Sequence, residues 1–149
     1  MRTAPPLTGP RQLEIVADTC KKALHPNLPD HARVKSKYSD RTANELTRAI
    51  VDWFGQQGHF ATRLSSTETF CADLGKYVPS QQRRGMPDIY AIVGGRAVHV
   101  EVKVAKDYLS DGQKEIMAAL KAAGAIVFFA STFQSFFDFY QAEFCQTPF

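Results

Sequence analysis

A pair of consecutive glycines separates two β-rich runs of this chain, and it constrains the fold more than any other feature. The first run covers residues 85–93 and the second covers 96–103, with Gly94 and Gly95 between them. A two-residue turn with positive φ at both central positions joins antiparallel strands, and glycine adopts that conformation most easily. We therefore predict a β-hairpin whose strand register is fixed by this turn.

The predicted register sorts the side chains of the hairpin onto two faces, because successive side chains of a strand alternate. Asp88 is expected opposite Glu101, on the same face as Lys103, Tyr90 and His99. The other face is expected to be apolar and to belong to the core; it carries Ile89, Ala91, Val93, Val98, Val100, Val102 and Val104.

Two carboxylates that face each other across a hairpin repel, since their Cβ atoms are only about 5 Å apart. A divalent cation between them would remove the repulsion, and oxygen ligands favour Mg²⁺ or Mn²⁺ over zinc or copper. Lys103 adds a cation where charge develops on a phosphate during attack. Each residue alone has an ordinary interpretation, Asp88 as a turn residue and Glu101 with Lys103 as a solvated ion pair. Together they predict a catalytic site.

Further residues around the hairpin follow the pattern of a known family. They are the run Arg84 to Ile89 (RGMPDI), Gly94-Gly95-Arg96, Glu101-Val102-Lys103, Leu109-Ser110 with Gln113, and Ala123-Gly124. This pattern resembles the PD-(D/E)xK nucleases, in particular their VRR-NUC and Holliday-junction-resolvase-like branch, most densely over residues 84–131. The resemblance implies an αβββαβ core, Mg²⁺-dependent hydrolysis of phosphodiester bonds in DNA, and branched DNA as the substrate.

The same resemblance implies a role for each residue of the site. Asp88, Glu101 and the main-chain carbonyl of Val102 would hold Mg²⁺, for which Mn²⁺ would substitute. Lys103 would orient the attacking water and stabilise the transition state. Gln113 would steady the lysine or the water.

Two residues near the site keep a second interpretation. Gln113 also fits a capping box, in which Ser110 is the N-cap and the glutamine reaches back to its amide. The family tends to carry an acidic residue on its first core helix, and here the candidate is Glu45. Because Glu45 lies away from the apolar stripe of that helix, we expect it to be solvated.

The order of predicted elements is typical of an α/β fold, a mixed central sheet of about four strands flanked by helices, with an N-terminal helical arm. We divide the chain into an arm with a basic linker, residues 1–39, and a nuclease-like domain, residues 40–149. The proline-containing lead-in, residues 1–10, is expected to be flexible. Helices are expected at 10–24, from an N-cap at Asp40 to about residue 57, at 110–123 with Ile116, Ala119, Leu120 and Ala123 inward, and at 133–144; strands are expected at 59–64 and, buried, at 125–130.

Basic residues concentrate on the N-terminal side of the hairpin. Residues 1–84 hold 13 Lys and Arg against 8 Asp and Glu, whereas residues 85–149 hold 5 against 7. We expect the basic part to contact the DNA backbone. A loop as long as 65–84 is usually either functional or simply mobile, and we expect this one to grip the substrate. The candidate DNA-binding residues are Lys35 and Lys37 in the linker, and Lys76, Arg83 and Arg84 in the loop.

Composition bounds the setting and the partners. No apolar run approaches the ~20 residues of a membrane span, and the N-terminus lacks the apolar core of a signal peptide. Three cysteines without metal-site spacing favour reduced thiols and an intracellular location, cytoplasmic or nucleoid-associated. The aromatic C-terminal segment favours core packing and also permits a homodimer. Two other functions stay open: a catalytically silent DNA-binding or inhibitory protein, and a nuclease subunit that needs a larger DNA-processing complex.

Overall fold

The computed structural model describes residues 8–65 and 67–146 and has the predicted α/β fold, a mixed sheet flanked by helices. Within these residues, no helix is both long and apolar enough to cross a membrane. The elements in chain order are α1 (Pro10–Leu24), α2 (Ala43–Gln56), β1 (Phe60–Arg63), β2 (Thr69–Cys71), β3 (Lys76–Val78), β4 (Ile89–Val93), β5 (Arg96–Val102), α3 (Asp111–Ala122), β6 (Ile126–Ala130) and α4 (Phe133–Phe144).

The central sheet has the strand order β1-β4-β5-β6, in which only the β5–β6 pair is parallel. The predicted hairpin is β4–β5, and its register runs as expected from the pair Val93 and Arg96 to the pair Ile89 and Val100. The ladder stops there, so the expected next pair is not formed as a backbone pair. Asp88 instead bonds to β5 through its side chain.

The apolar face of the hairpin belongs to the core, as predicted. Ile89, Val98 and Val100 are fully buried in one cluster with side chains from α2 and α4. Trp53 of α2 lies edge-on to three aromatic rings of α4, those of Phe133, Phe137 and Tyr140. Fully burying one such apolar side chain contributes about 1.5–3 kcal/mol, so this layer dominates the stability of the domain.

Helix α3 covers the opposite face of the sheet. Glu101 alternates along β5 with the core residues Val100 and Val102, and it is Gln113 of α3 that contacts its side chain. Ile116 of α3 is buried, but Ala119 and Ala123, which we expected to face inward, are exposed. The expectation that β6 is buried was also wrong: it is an edge strand paired only with β5, and most of its side chains are half-buried.

The start of α2 differs from the prediction. Thr42 is the N-cap, in a capping box with Glu45, and the hydroxyl of Thr42 is the main cause of a lowered pKa of this glutamate. Glu45 is exposed, as expected. Asp40 caps another helix instead: its Oδ2 accepts the N–H of Phe133, the first residue of α4, at 2.9 Å. Both are good N-cap residue types, and the glutamate three residues after Thr42 favours the threonine.

Helix α1 packs against α2 through Leu13 and Ala17, both buried. The linker after it follows α1 and is held by two side-chain acceptors of that helix. The N–H of Ser36 donates to Asp18 Oδ1 at 2.8 Å, and the N–H of Tyr38 donates to Glu14 at 2.9 Å. Residues 1–7 of the predicted flexible lead-in, and 147–149 at the end of the predicted second domain, lie outside the described residues.

Candidate active site

The carboxylate of Asp88 lies where three strands of the sheet meet. The N–H of Leu64, just after β1, donates to the Asp88 carbonyl at 2.7 Å. The N–H of Val102 in β5 donates to Asp88 Oδ2 at 2.9 Å. Asp88 itself immediately precedes β4. These contacts fix both the main chain and the side chain of Asp88 at this edge of the sheet.

Glu101 is the second carboxylate of the site, and its side chain is only 2% exposed. Its Oε1 accepts the amide Nε2 of Gln113 at 2.6 Å. The ammonium Nζ of Lys103 lies 3.4 Å from the same oxygen. Three predicted site residues are therefore in direct contact, brought together from the end of β5 and the start of α3.

The capping interpretation of Gln113 is confirmed, and the same side chain also contacts the site through Glu101. Its amide oxygen accepts the N–H of Ser110 at 3.0 Å, and its own N–H donates to Ser110 Oγ at 3.2 Å, which completes the capping box of α3. The amide nitrogen at the other end of the same side chain donates to Glu101. Because one end is fixed by the helix cap, the donor that faces Glu101 is held in place.

Burial, and then the nearby charge of Asp88, raise the pKa of Glu101 from its ordinary value to about 7. The ammonium of Lys103 acts in the opposite direction but only partly offsets these effects. Desolvation and a like charge both disfavour the ionised form of a carboxyl group. The site therefore has an excess of buried negative charge that a bound cation would relieve.

The donor set fits a hard divalent cation. Asp88 and Glu101 supply carboxylate oxygens, the ligand type that Mg²⁺ takes in proteins. A strand residue directs its N–H and C=O to the same neighbouring strand, so the Val102 carbonyl points to the edge where its N–H meets Asp88. Within residues 8–65 and 67–146, no group of three or more His, Cys, Asp and Glu side chains is arranged to hold a metal. Backbone and water oxygens would complete the coordination of Mg²⁺, which usually keeps several waters.

His99, on the polar face of the hairpin, is buried at 6% exposure. Its ring lies 5.1 Å from that of Tyr90, and burial lowers its pKa, which favours the neutral imidazole. Its Nδ1 has no hydrogen-bond partner among the described residues. The histidine therefore packs inside the protein beside Tyr90.

The residues just before Asp88 pack closely against the start of α3. Gly85 has φ +82°, and a Cβ at this position would lie 2.8 Å from the carbonyl oxygen of Gly112. Only glycine fits both the conformation and the space. Arg83 and Arg84 precede it and are exposed, so two predicted DNA-binding residues lie within five residues of Asp88 in the sequence and face solvent.

The other predicted DNA-binding residues are exposed but lie elsewhere. Lys76 belongs to β3, which forms a hairpin with β2 over residues 69–78, within the loop expected over 65–84. Lys35 and Lys37 lie on the linker that follows α1, and α1 packs on α2. Lys37 lies near Glu45 at the start of α2, and among the described residues neither lysine forms a hydrogen bond or ion pair with Asp88 or Glu101.

Sequence reasoning missed several features around the site. The strands of the β2–β3 hairpin were signalled by the β-forming triplets Thr69–Cys71 and Lys76–Val78 with Gly75 between them. The connection from Lys103 to α3 contains Ala105 with φ 56°, which is a strained conformation for alanine. The residue type gives no indication of it. Arg63 donates to the Asn44 side chain at 2.7 Å and so ties β1 to the start of α2.

The predicted catalytic set is thus spatially coherent. Asp88, Glu101, Lys103 and Gln113 come from the start of β4, the end of β5 and the start of α3. No family model matches the chain, and no curated protein shows significant similarity to it.

Proposed function

We propose that this chain is a divalent-metal-dependent DNA endonuclease of the PD-(D/E)xK type, which hydrolyses phosphodiester bonds. The observation that carries the proposal is Glu101: a buried carboxylate beside Asp88, contacted by the amide of Gln113 at 2.6 Å and by Lys103 at 3.4 Å. A structural ion pair needs neither the second carboxylate nor the amide. A site that binds Mg²⁺ and a phosphate uses all four groups.

Each side chain has a distinct task in this proposal. Asp88 and Glu101 hold Mg²⁺, together with the carbonyl of Val102. When bound, Mg²⁺ supplies Lewis-acid activation of the phosphate and of the attacking water. Lys103 donates to a non-bridging phosphate oxygen as negative charge develops there. Gln113 donates to Oε1 of Glu101, so Oε2 is the oxygen of this carboxylate that would bind Mg²⁺.

The test is cleavage of four-way-junction, flap, linear duplex and single-stranded DNA by the purified chain, with Mg²⁺ and with Mn²⁺. Lys103→Ala is the primary control, because it removes the proposed phosphate donor and leaves both carboxylates. Asp88→Asn serves as a second control that keeps the side-chain volume. We expect cleavage that needs the metal and is lost in both variants.

The outcome also discriminates among the three functions. Selective cutting of the junction favours a resolvase-like nuclease, and cutting of every substrate favours a general nuclease. DNA binding without cleavage under both metals would contradict the proposal and favour the catalytically silent protein. Cleavage that appears only when a second protein is added favours a subunit of a DNA-processing complex.

A further inference from the structure

The β2–β3 hairpin exposes two aromatic rings that pack against each other and not against the core. Phe70 and Tyr77 are paired across the two strands, with ring centroids 5.3 Å apart. They are 54% and 66% exposed, and neither belongs to the core cluster. Leu74 at the tip is also exposed. Soluble domains rarely leave aromatic rings clustered on a projecting element unless the rings bind something.

Both connections of the hairpin lead to the candidate active site. It leaves from Leu64, whose N–H donates to the Asp88 carbonyl at 2.7 Å. It returns through Gly85, where a Cβ would lie 2.8 Å from the carbonyl oxygen of Gly112 at the start of α3. Phe70 follows Leu64 by six residues, and an extended chain of that length spans at most about 20 Å. The rings are therefore close enough to the carboxylates for one bound DNA strand to reach both within a few nucleotides.

The net charge from the hairpin to Asp88 is complementary to a phosphate backbone. From Thr69 to Pro87 the chain carries three cations, Lys76, Arg83 and Arg84, and one carboxylate, Asp73. All three cations are exposed. Aromatic rings interleaved with cations are the usual composition of a surface that binds single-stranded nucleic acid, since bases stack on the rings while cations contact phosphates.

We propose that the hairpin Thr69–Val78 is a nucleic-acid-binding element in which Phe70 and Tyr77 stack on unpaired bases of a DNA strand. This inference rests on the proposed nuclease function, because it gives the site a preference for DNA with unpaired bases near the cleaved bond. A fully paired duplex offers no free base face to the rings, so it gains only the phosphate contacts of Lys76, Arg83 and Arg84.

The test measures binding separately from cleavage. Asp88→Asn protein, which keeps the hairpin and is expected not to cut, is titrated into short oligothymidylate and into linear duplex, and anisotropy is recorded. Adding Tyr77→Ala is expected to weaken oligothymidylate binding about tenfold, the usual cost of one lost stacking platform. Duplex affinity is expected to stay within about twofold. Tyr77→Phe, which keeps the ring, is expected to behave like the parent, and Leu24→Ala is the control for removing an exposed apolar side chain on α1.

A direct readout of stacking comes from 2-aminopurine placed in the oligonucleotide. We expect its fluorescence to be quenched by the parent and to recover in the Phe70→Ala and Tyr77→Leu variants, the latter keeping an apolar side chain so that hairpin folding is not the issue. Equal binding and equal quenching by all variants would overturn the inference. The inference would also be overturned if sedimentation showed a dimer that is lost in Tyr77→Ala while DNA binding is unchanged. The rings would then contact a second copy of the chain.

The two proposals can fail independently. Ring-dependent binding of oligothymidylate in a protein that never cleaves DNA would support the hairpin and remove the nuclease. Metal-dependent cleavage that is indifferent to Phe70 and Tyr77, with unchanged binding, would support the nuclease and remove the hairpin.

Discussion

Glu101 is held between opposing influences. Burial and the charge of Asp88 favour its protonated form, whereas Lys103 favours the carboxylate. Without metal the folded protein binds this proton more tightly than the unfolded chain does, because the pKa is about 7 in the fold and 4.5 ordinarily. A carboxyl group with a raised pKa costs stability when it ionises. The metal-free protein should therefore become less stable as pH rises.

The first prediction concerns this pH dependence. The contribution of Glu101 is fully present below pH 4.5 and is lost as pH rises through about 7, a change of at most about 3 kcal/mol. Glu101→Gln cannot ionise, so its unfolding free energy should lose less across that range. Urea unfolding of both proteins in EDTA measures the difference. Curves that run parallel from pH 4.5 upward would contradict it, and added Mg²⁺ should stabilise the wild type most at high pH.

The double role of Gln113 gives a second prediction, in which one neighbour serves as the matched control. Ser110→Ala removes the cap and leaves the amide of Gln113 near Glu101, at a cost of about 1 kcal/mol in unfolding free energy. Gln113→Ala removes the cap interaction and the 2.6 Å hydrogen bond to Glu101. Both should lower the unfolding free energy, and Gln113→Ala by more, because it also removes a hydrogen bond to a buried carboxylate. Only Gln113→Ala should lower kcat strongly, and an equal loss of kcat in both variants would assign Gln113 to capping alone.

Among the elements, α3 is positioned by the chain that leads into Asp88. Gly85 allows this contact, whereas Gly58 has the same φ of +82° and no atom within 4 Å of the place where a Cβ would lie. Comparing Gly85→Ala with Gly58→Ala therefore separates the close approach from backbone strain. We predict that both lose about 1 kcal/mol through strain, and that Gly85→Ala loses a further 1–3 kcal/mol, about the cost of overpacking. Urea unfolding measures both.

DNA cleavage is the second measurement on Gly85→Ala and Gly58→Ala. Displacement of α3 by the Cβ of Gly85→Ala should move Gln113 away from Glu101, so cleavage should fall in this variant and not in Gly58→Ala. Equal stability and equal activity of the two variants would mean that the start of α3 moves without cost.

Sequence patterns predicted the elements whose structure depends on residues close together in the chain. The Gly94-Gly95 turn fixed the β4–β5 register, and helical spacing with Pro10 located α1. Where two local signals competed, the prediction failed: Asp40 and Thr42 are both good caps, and Asp40 caps a helix 93 residues away. The burial of Glu101 was also beyond reach, because alternation gives its face but not the helix that covers that face. The proximity of Asp88 and Glu101 was predictable because a hairpin is a local structure.

At the scale of the whole molecule, helices pack on both faces of the central sheet. The sheet has α2 and α4 on its core face, α3 on the face of Glu101, and α1 packed outside α2. Leu13 of α1 is fully buried in the same cluster as Trp53, Phe54 and Phe133. This packing bears on whether residues 1–39 and 40–149 unfold as separate units.

The last prediction tests that cooperativity. Leu13→Ala should destabilise the core by about 2–5 kcal/mol, as large-to-small changes at buried sites do, and the loss should be reported by the fluorescence of Trp53, which is in α2. Ile15→Ala on the exposed side of α1 is the matched control, expected within about 0.5 kcal/mol. If α1 were an independent arm, Leu13→Ala would leave the Trp53 transition unchanged while the helical signal of α1 melted earlier. A single shifted transition would mean that the arm is part of the core, because one buried leucine then sets the stability of the layer that supports the site.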